Sequence, residues 1–83
     1  MKHASAASLD RLEDLLCCLR GISGLSEKRP GIFYKGGRAF LHFHEDPAGL
    51  FADLRIADDW ARFPVNNIEE QRLLFEKAGA VRA

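Results

Sequence analysis

The chain has 83 residues, which is enough for one domain spanning residues 1–83, and no linker, repeat or low-complexity segment divides it. Its 12 basic and 12 acidic residues give a formal net charge of zero, which excludes a strong overall field that would attract nucleic acid or anionic lipid. No stretch has the apolar length of a secretory signal or a membrane-spanning helix, so we expect a cytoplasmic protein.

The first predicted element is an amphipathic helix that follows a short tail. We expect residues 1–7 to be a flexible N-terminal tail, and Ser8 is a good N-cap for the helix behind it. Leucines recur there at helical spacing, and Gly21 ends the helix. The leucine stripe consists of Leu9, Leu12, Leu15, Leu16 and Leu19. Residues 22–30 then read as a loop.

Two strands are predicted around the Gly36-Gly37 pair. Aromatic and branched residues flank the two glycines, and both glycines can adopt the positive φ of a tight hairpin turn. Closing the hairpin at this turn pairs Lys35 with Arg38, Tyr34 with Ala39, Phe33 with Phe40, and Ile32 with Leu41.

The next turn is predicted at Asp46-Pro47-Ala48-Gly49, a sequence typical of a type I turn that ends in a left-handed residue. A five-residue loop would set His42 and His44 beside Leu50 and Ala52. We favour a four-residue loop, because a one-residue slip moves every side chain to the opposite face. The four-residue loop pairs Glu45 with Leu50, His44 with Phe51, Phe43 with Ala52, His42 with Asp53, and Leu41 with Leu54.

A short edge strand and a second helix complete the chain. In WARFPV, residues 61, 63 and 65 alternate with residues 60, 62 and 64, and Pro64 is tolerated at a sheet edge. Asn67 and Glu70 predict a capping-box start for the last helix, which Gly79 ends. The predicted order is α-β-β-β-(β)-α. We therefore expect a two-layer α+β fold, an antiparallel meander sheet with two helices on one face.

The favoured register divides the strand residues between two faces of the sheet. One face is apolar and is expected to meet the helices: Ile32, Tyr34, Ala39, Leu41, Phe43, Ala52 and Leu54. The other face mixes aromatic, basic, histidine and acidic side chains: Phe33, Lys35, Arg38, Phe40, His42, His44, Phe51, Asp53 and Arg55. We expect this second set to form the binding face.

The order of elements resembles the small bacterial luciferase-like domain family and, more distantly, the YjbR-like two-layer α+β proteins. The resemblance lies in a helix, a glycine-bearing hairpin, a His-x-His-x-Asp motif and a downstream Ala-Asp-Leu. The matching residues are His42, His44, Asp46, Asp53, Trp60, Phe63 and Val65. The resemblance implies the fold and the importance of His42, His44 and Asp53, and many members are uncharacterised. Where the family has a further helix, this chain has only residues 56–59, so a pocket roofed by that helix would be missing.

His42 and His44 lie two positions apart on one strand, so both imidazoles point to the same side, a spacing that zinc sites use. Asp53, opposite His42 in the favoured register, would be a third ligand or an orienting acceptor. One alternative is therefore a zinc site at His42, His44 and Asp53, although no cofactor is our first expectation. The same residues also suit acid–base catalysis by His42 with Asp53, for which the face supplies no nucleophile.

The phenylalanines of the mixed face allow two further interpretations. Phenylalanines flanked by lysine and arginine resemble the stacking platforms that bind single-stranded nucleic acid, but the neutral net charge argues against nucleic acid as a partner. A monomer rarely leaves such an apolar patch to water. We therefore expect a non-enzymatic binding or self-association module, with a homodimer or another protein as the partner and no membrane.

Overall fold

Three helices and six strands occur in the structure, a computed structural model that describes residues 2–81. The helices are α1 (Ala6–Arg11), α2 (Glu13–Arg20) and α3 (Ile68–Ala80). The strands are β1 (Lys2–His3), β2 (Leu25–Arg29), β3 (Ile32–Lys35), β4 (Arg38–Asp46), β5 (Gly49–Ile56) and β6 (Asp59–Pro64). None of the helices in this part of the chain is long and apolar enough to span a membrane.

The strands form one antiparallel sheet in the order β2-β3-β4-β5-β6, which confirms the predicted meander and the α+β class. The short strand β1 pairs with β4 outside this path, placing Lys2 opposite Glu45 and His3 opposite His44. Strand β5 pairs with one side of β4, and β3 pairs with the other side only as far as His42. Strand β1 therefore pairs with the remaining part of β4 on the same side as β3.

One hydrophobic core joins the helices to one face of the sheet. The α2 leucines and Leu74 and Ala78 of α3 belong to the same buried cluster as the inward side chains of β4 and β5. Burying each leucine or phenylalanine contributes roughly 1.5–3 kcal/mol relative to leaving it in water. The helices therefore cover a single face of the sheet, and the opposite face carries none of the three described helices.

The predicted first helix is two helices with a break at Leu12. Ser5 rather than Ser8 is the N-cap, since the Ser5 side chain accepts a hydrogen bond from the backbone N–H of Ser8. Leu12 has φ −104° and ψ 9°, which interrupts the helix while its side chain stays buried. The predicted tail, residues 1–7, therefore includes β1 and the first residues of α1. Gly21 is the C-cap of α2, as the sequence predicts.

The segment predicted as a loop contains the strand β2. Its sequence LSEKR lacks the alternation of apolar and polar residues that predicts a strand, so pairing with β3 decides its conformation. Glu27 connects this strand to its surroundings, because its carboxylate accepts from Arg20 Nε at 2.6 Å and from the Gly31 N–H at 3.0 Å. Gly31 has a positive φ, which a turn between β2 and β3 requires.

A β-bulge at Phe40 changes the predicted pairing of β3 with β4. The two pairs next to the turn, Lys35–Arg38 and Tyr34–Ala39, are confirmed, but Phe33 pairs with Leu41 and Ile32 with His42. Phe40 is thus the extra residue on β4. The predicted pairs Phe33–Phe40 and Ile32–Leu41 are wrong, because nothing local in the sequence marks the insertion.

The bulge also reverses the faces predicted for β3 and the start of β4. Phe33 is 0% exposed and Phe40 4% exposed, so both belong to the core and not to the mixed face. Ile32 and Tyr34 turn to the opposite face, where the sequence places neither. Lys35 lies over the Phe40 ring at 5.1 Å and donates to the Val81 carbonyl at 2.6 Å. Its pairing partner Arg38 shares that side, so both basic residues also leave the mixed face.

The register between β4 and β5 is the one that the four-residue loop predicts. All five predicted pairs, from Glu45–Leu50 to Leu41–Leu54, are present, and Asp46 additionally pairs with Gly49. The Asp46 carboxylate accepts from the Ala48 N–H at 2.9 Å, which stabilises the turn. The five-residue alternative is therefore excluded.

The edge strand and the last helix largely follow the prediction. Trp60 pairs with Arg55 and Arg62 with Asp53, so the predicted alternation of β6 is confirmed. Asn67 caps α3 by accepting from the Glu70 N–H at 2.9 Å. The helix runs one residue past Gly79, to Ala80. Two large apolar side chains of this helix, Ile68 and Phe75, are exposed.

The bulge predicts opposite consequences for two phenylalanines on neighbouring strands. Phe33→Ala should lower the free energy of unfolding by about 3–5 kcal/mol, because it leaves a cavity in the core. Phe51→Ala, at a half-buried position, should lower it by less than about 2 kcal/mol. Urea unfolding followed by circular dichroism measures both. A larger effect for Phe51→Ala would contradict the placement of Phe33 in the core and Phe51 on the opposite face.

Candidate functional site

The candidate functional site is the side of the sheet that faces away from the helices, which we call the helix-free face. Strand alternation places its residues, since positions two apart on a strand share a face. They come from five of the six strands, so the meander gathers residues far apart in sequence. The helix-free face includes His3, Ile32, Tyr34, His42, His44, Phe51, Asp53, Arg55, Trp60 and Arg62.

Three imidazoles lie side by side at the centre of the helix-free face. The His3 ring stacks on the His44 ring, with centroids 5.1 Å apart and planes at 28°. His42 meets His44 edge-on at 5.6 Å and lies 6.1 Å from His3. The sequence predicts that His42 and His44 share a face. Their cluster with His3 depends on β1 pairing with β4, which the sequence did not indicate.

The Asp53 carboxylate has a different partner from the one expected. Asp53 lies opposite His42 in the register, as predicted, but it accepts from Arg62 Nε at 2.8 Å and from a second Arg62 nitrogen at 3.0 Å. Its second oxygen is 3.2 Å from His44 Nε2, the diagonal neighbour. A bidentate arginine pair is among the stronger charge-assisted contacts. Asp53 is therefore oriented by Arg62, and the imidazole next to it is that of His44 instead of His42.

The protonation states follow from these contacts. The hydrogen bonds from Arg62 are the main reason that the pKa of Asp53 lies below its usual value. Burial lowers the pKa of His42, and the nearby His44 and His3 lower it further. Burial also lowers the pKa of His44, although the Asp53 carboxylate acts in the opposite direction. Near neutral pH the face therefore combines an ionised Asp53 with neutral rings at His42 and His44.

Two ring nitrogens on this face are buried without a hydrogen-bond partner among residues 2–81. They are His42 Nδ1 and His44 Nδ1. The other ring nitrogen of His44, Nε2, lies 3.2 Å from the Asp53 carboxylate. A buried acceptor without a donor costs about 1–3 kcal/mol. The packing of the rings must offset this cost.

A cation–aromatic stack borders the histidines. The Arg55 guanidinium carbon lies 4.5 Å from the centroid of the Trp60 ring, and Arg55 Nε donates to the Ala39 carbonyl at 2.7 Å. The other neighbour of Trp60 is the His42 ring, with a centroid separation of 4.5 Å. Although held on two sides, Trp60 remains 41% exposed. The face thus presents a positioned aromatic ring to its surroundings.

The structure brings together some of the predicted site residues and separates others. His42, His44, Phe51, Asp53 and Arg55 share the helix-free face. The bulge directs Phe33, Lys35, Arg38 and Phe40 elsewhere, as described above. The alternation of WARFPV already indicated that Trp60 and Arg62 share one side. Only the pairing of β1 adds His3.

The structure does not gather the predicted zinc ligands into a coordination group. Within residues 2–81, no group of three or more histidine, cysteine, aspartate or glutamate side chains is placed to hold a metal ion. Asp53 is instead committed to Arg62 and His44. For acid–base chemistry, His44 with Asp53 is the pair in contact, and the predicted pair of His42 with Asp53 is not.

Comparisons of this chain with known proteins found no match. No family model matches the sequence, and no curated protein and no solved structure matches the chain. The resemblance to luciferase-like and YjbR-like domains therefore stays a prediction. Any account of function has to come from the residues themselves.

Removing the Asp53 charge should change how the histidines titrate. Asp53→Asn should lower the pKa of His44 further and that of His42 as well, because the carboxylate is the group that favours their charged forms. Ring chemical shifts followed by NMR across a pH series measure both values. Asp58→Asn, in the exposed β5–β6 turn, is the control and should leave both titrations unchanged. An unaltered His44 titration in Asp53→Asn would contradict the contact.

Proposed function

We propose that the protein is a non-enzymatic binding module that self-associates through the helix-free face. The observation that carries the proposal is the exposed Trp60 ring, fixed between Arg55 and His42 on a sheet surface that no described helix covers. Tryptophan and arginine are enriched among the residues that dominate binding energy at protein interfaces. Such a ring is positioned before a partner arrives, so little side-chain entropy is lost on binding.

The size of the helix-free face suits a partner of the same kind. Strands β2 to β6 lie side by side, which gives a width of about 24 Å at the usual strand spacing. Strand β5 has 8 residues and is about 26 Å long. The flat projection is about 600 Å², and side-chain relief brings its accessible area towards the roughly 800 Å² per partner of a standard interface.

The charges on the face also favour its burial against a second copy. Asp53 is already paired with Arg62 through two hydrogen bonds, so covering it would not leave an uncompensated carboxylate. The guanidinium of Arg55 has the Trp60 ring and the Ala39 carbonyl as partners. In a two-fold dimer, the same self-complementary patch on each copy would contact the other copy.

The edges of the sheet are less suited to association than its face. Strand β2 carries Lys28 and Arg29 and has an irregular register between Glu27 and Arg29. At the opposite edge, β6 ends in the exposed Pro64. Charged residues, bulges and proline are the devices that discourage edge-to-edge pairing. Face-to-face contact is therefore the better supported mode.

The alternative functions have weaker support. Binding of single-stranded nucleic acid was based on three phenylalanines, and two of them, Phe33 and Phe40, lie in the core. A zinc site at His42, His44 and Asp53 would need a carboxylate that is free to bind the ion, whereas Arg62 holds Asp53 with two hydrogen bonds. The pair expected for acid–base catalysis, His42 with Asp53, is not the pair in contact.

The proposal predicts that Trp60→Ala weakens self-association while Phe75→Ala does not. The two rings are matched, since Trp60 is 41% exposed on the helix-free face and Phe75 is 36% exposed on α3. Loss of a tryptophan that acts as a binding hot spot costs about 2 kcal/mol or more, equivalent to a roughly 30-fold weaker dimer. Sedimentation velocity over a concentration series measures the effect, with circular dichroism to check folding.

Two results would contradict the proposal. One is a wild-type protein that stays monomeric up to about 1 mM, the weak end of specific association. The other is a dimer that Phe75→Ala disrupts and Trp60→Ala leaves intact, which would move the interface to the helical side.

A further inference from the structure

The strand β1 is held on β4 by contacts on both faces of the sheet. On the helix-free face the His3 ring stacks on His44 at 5.1 Å. On the helical side Lys2 Nζ lies 3.4 Å from a Glu45 oxygen. The backbone adds a hydrogen bond from the Ala4 N–H to the Phe43 carbonyl at 3.0 Å. With only two residues in the strand, these side-chain contacts carry much of its attachment.

The charges around the three histidines make this attachment sensitive to protonation. Besides the rings themselves, the charged groups facing them are Arg55 and Asp53 of β5 and Arg62 of β6, with Asp46 farther along β4. Arg62 already neutralises Asp53 through two hydrogen bonds. A proton added to the cluster therefore enters a region with little spare negative charge, and a second one meets another imidazolium about one ring away.

We propose that His3, His42 and His44 form a pH-sensitive latch, which holds β1 on β4 while His42 and His44 are neutral and releases it when they are protonated. The stacked arrangement of His3 on His44 suits neutral rings, because two imidazolium ions repel each other at that separation. His3 is the exposed member of the cluster, so its strand is the part that can move away. The latch does not depend on self-association through the helix-free face.

The direction of the effect follows from the lowered pKa values of His42 and His44, for which burial is the first cause. A folded state that lowers a histidine pKa favours the neutral ring. The contribution of the latch is then complete above the ordinary histidine value of 6.5. It is lost as the pH falls below 6.5 and through the folded pKa values.

A second set of contacts keeps the neighbouring helix in place during release. Glu45 accepts from the Ser5 N–H at 2.6 Å and from Ser8 Oγ at 2.9 Å. The Ser5 N–H is the main reason that the pKa of Glu45 is lowered to about 2. Glu45 therefore remains ionised while the histidines titrate. The movement is limited to residues before Ser5, and it uncovers the Phe43 carbonyl on the edge of β4.

The test compares two backbone amides by hydrogen exchange, read by NMR as protection factors at about pH 7.5 and about pH 5. The Ala4 N–H reports β1, and the Val65 N–H, which donates to the Leu50 carbonyl at 3.0 Å, reports the body of the fold. We expect protection at Ala4 to fall about tenfold or more at the lower pH while protection at Val65 is kept.

The double variant His3→Phe with His44→Phe keeps two rings that can stack, but these rings have no nitrogen that can take up a proton. Protection at Ala4 should then lose most of its pH dependence, since His42 is the one latch histidine that can still take up a proton. The latch would be overturned by three outcomes: a wild-type Ala4 amide equally protected at both pH values, an unchanged pH dependence in the double variant, or parallel loss at Val65, which would mean that the whole domain unfolds.

Discussion

The single extra residue on β4, Phe40, is the constraint on which the arrangement of this domain depends. Because the bulge lies between the pairs Tyr34–Ala39 and Phe33–Leu41, it lets Phe33, Phe40 and Leu41 all enter the core. A domain of 83 residues has little surface to bury, and these side chains provide a large share of it. The same insertion brings Ile32 beside His42, so the bulge determines the core and the border of the helix-free face together.

The parts of the fold that the sequence predicts are those specified by local chemistry. The Asp-Pro-Ala-Gly turn predicts the full register of β4 with β5, and alternation predicts β6. The Gly36-Gly37 turn predicts only the two pairs next to it, since Phe33 and Phe40 are apolar on either face and no residue signals a bulge. Strand β2 and the break at Leu12 likewise result from packing, which propensity does not report.

The candidate site shows the same division between local and tertiary information. His42, His44 and Asp53 are predicted to share a face, and they do. Which histidine lies next to the Asp53 carboxylate depends on Arg62. Arg62 follows Asp53 by nine residues and donates a hydrogen bond to it from the neighbouring strand β6. His3 joins through a two-residue strand at the start of the described chain. A sequence can therefore place side chains on a face without specifying the contacts among them.

Cross-strand nuclear Overhauser effects between β3 and β4 test the bulge most directly. We predict contacts between the backbone protons of Ile32 and His42 and between those of Phe33 and Leu41, with Phe40 outside the ladder. Contacts joining Ile32 to Leu41 and Phe33 to Phe40 would show a regular hairpin. That result would return both phenylalanines to the face with the histidines, and it would contradict the division of residues between the core and the helix-free face.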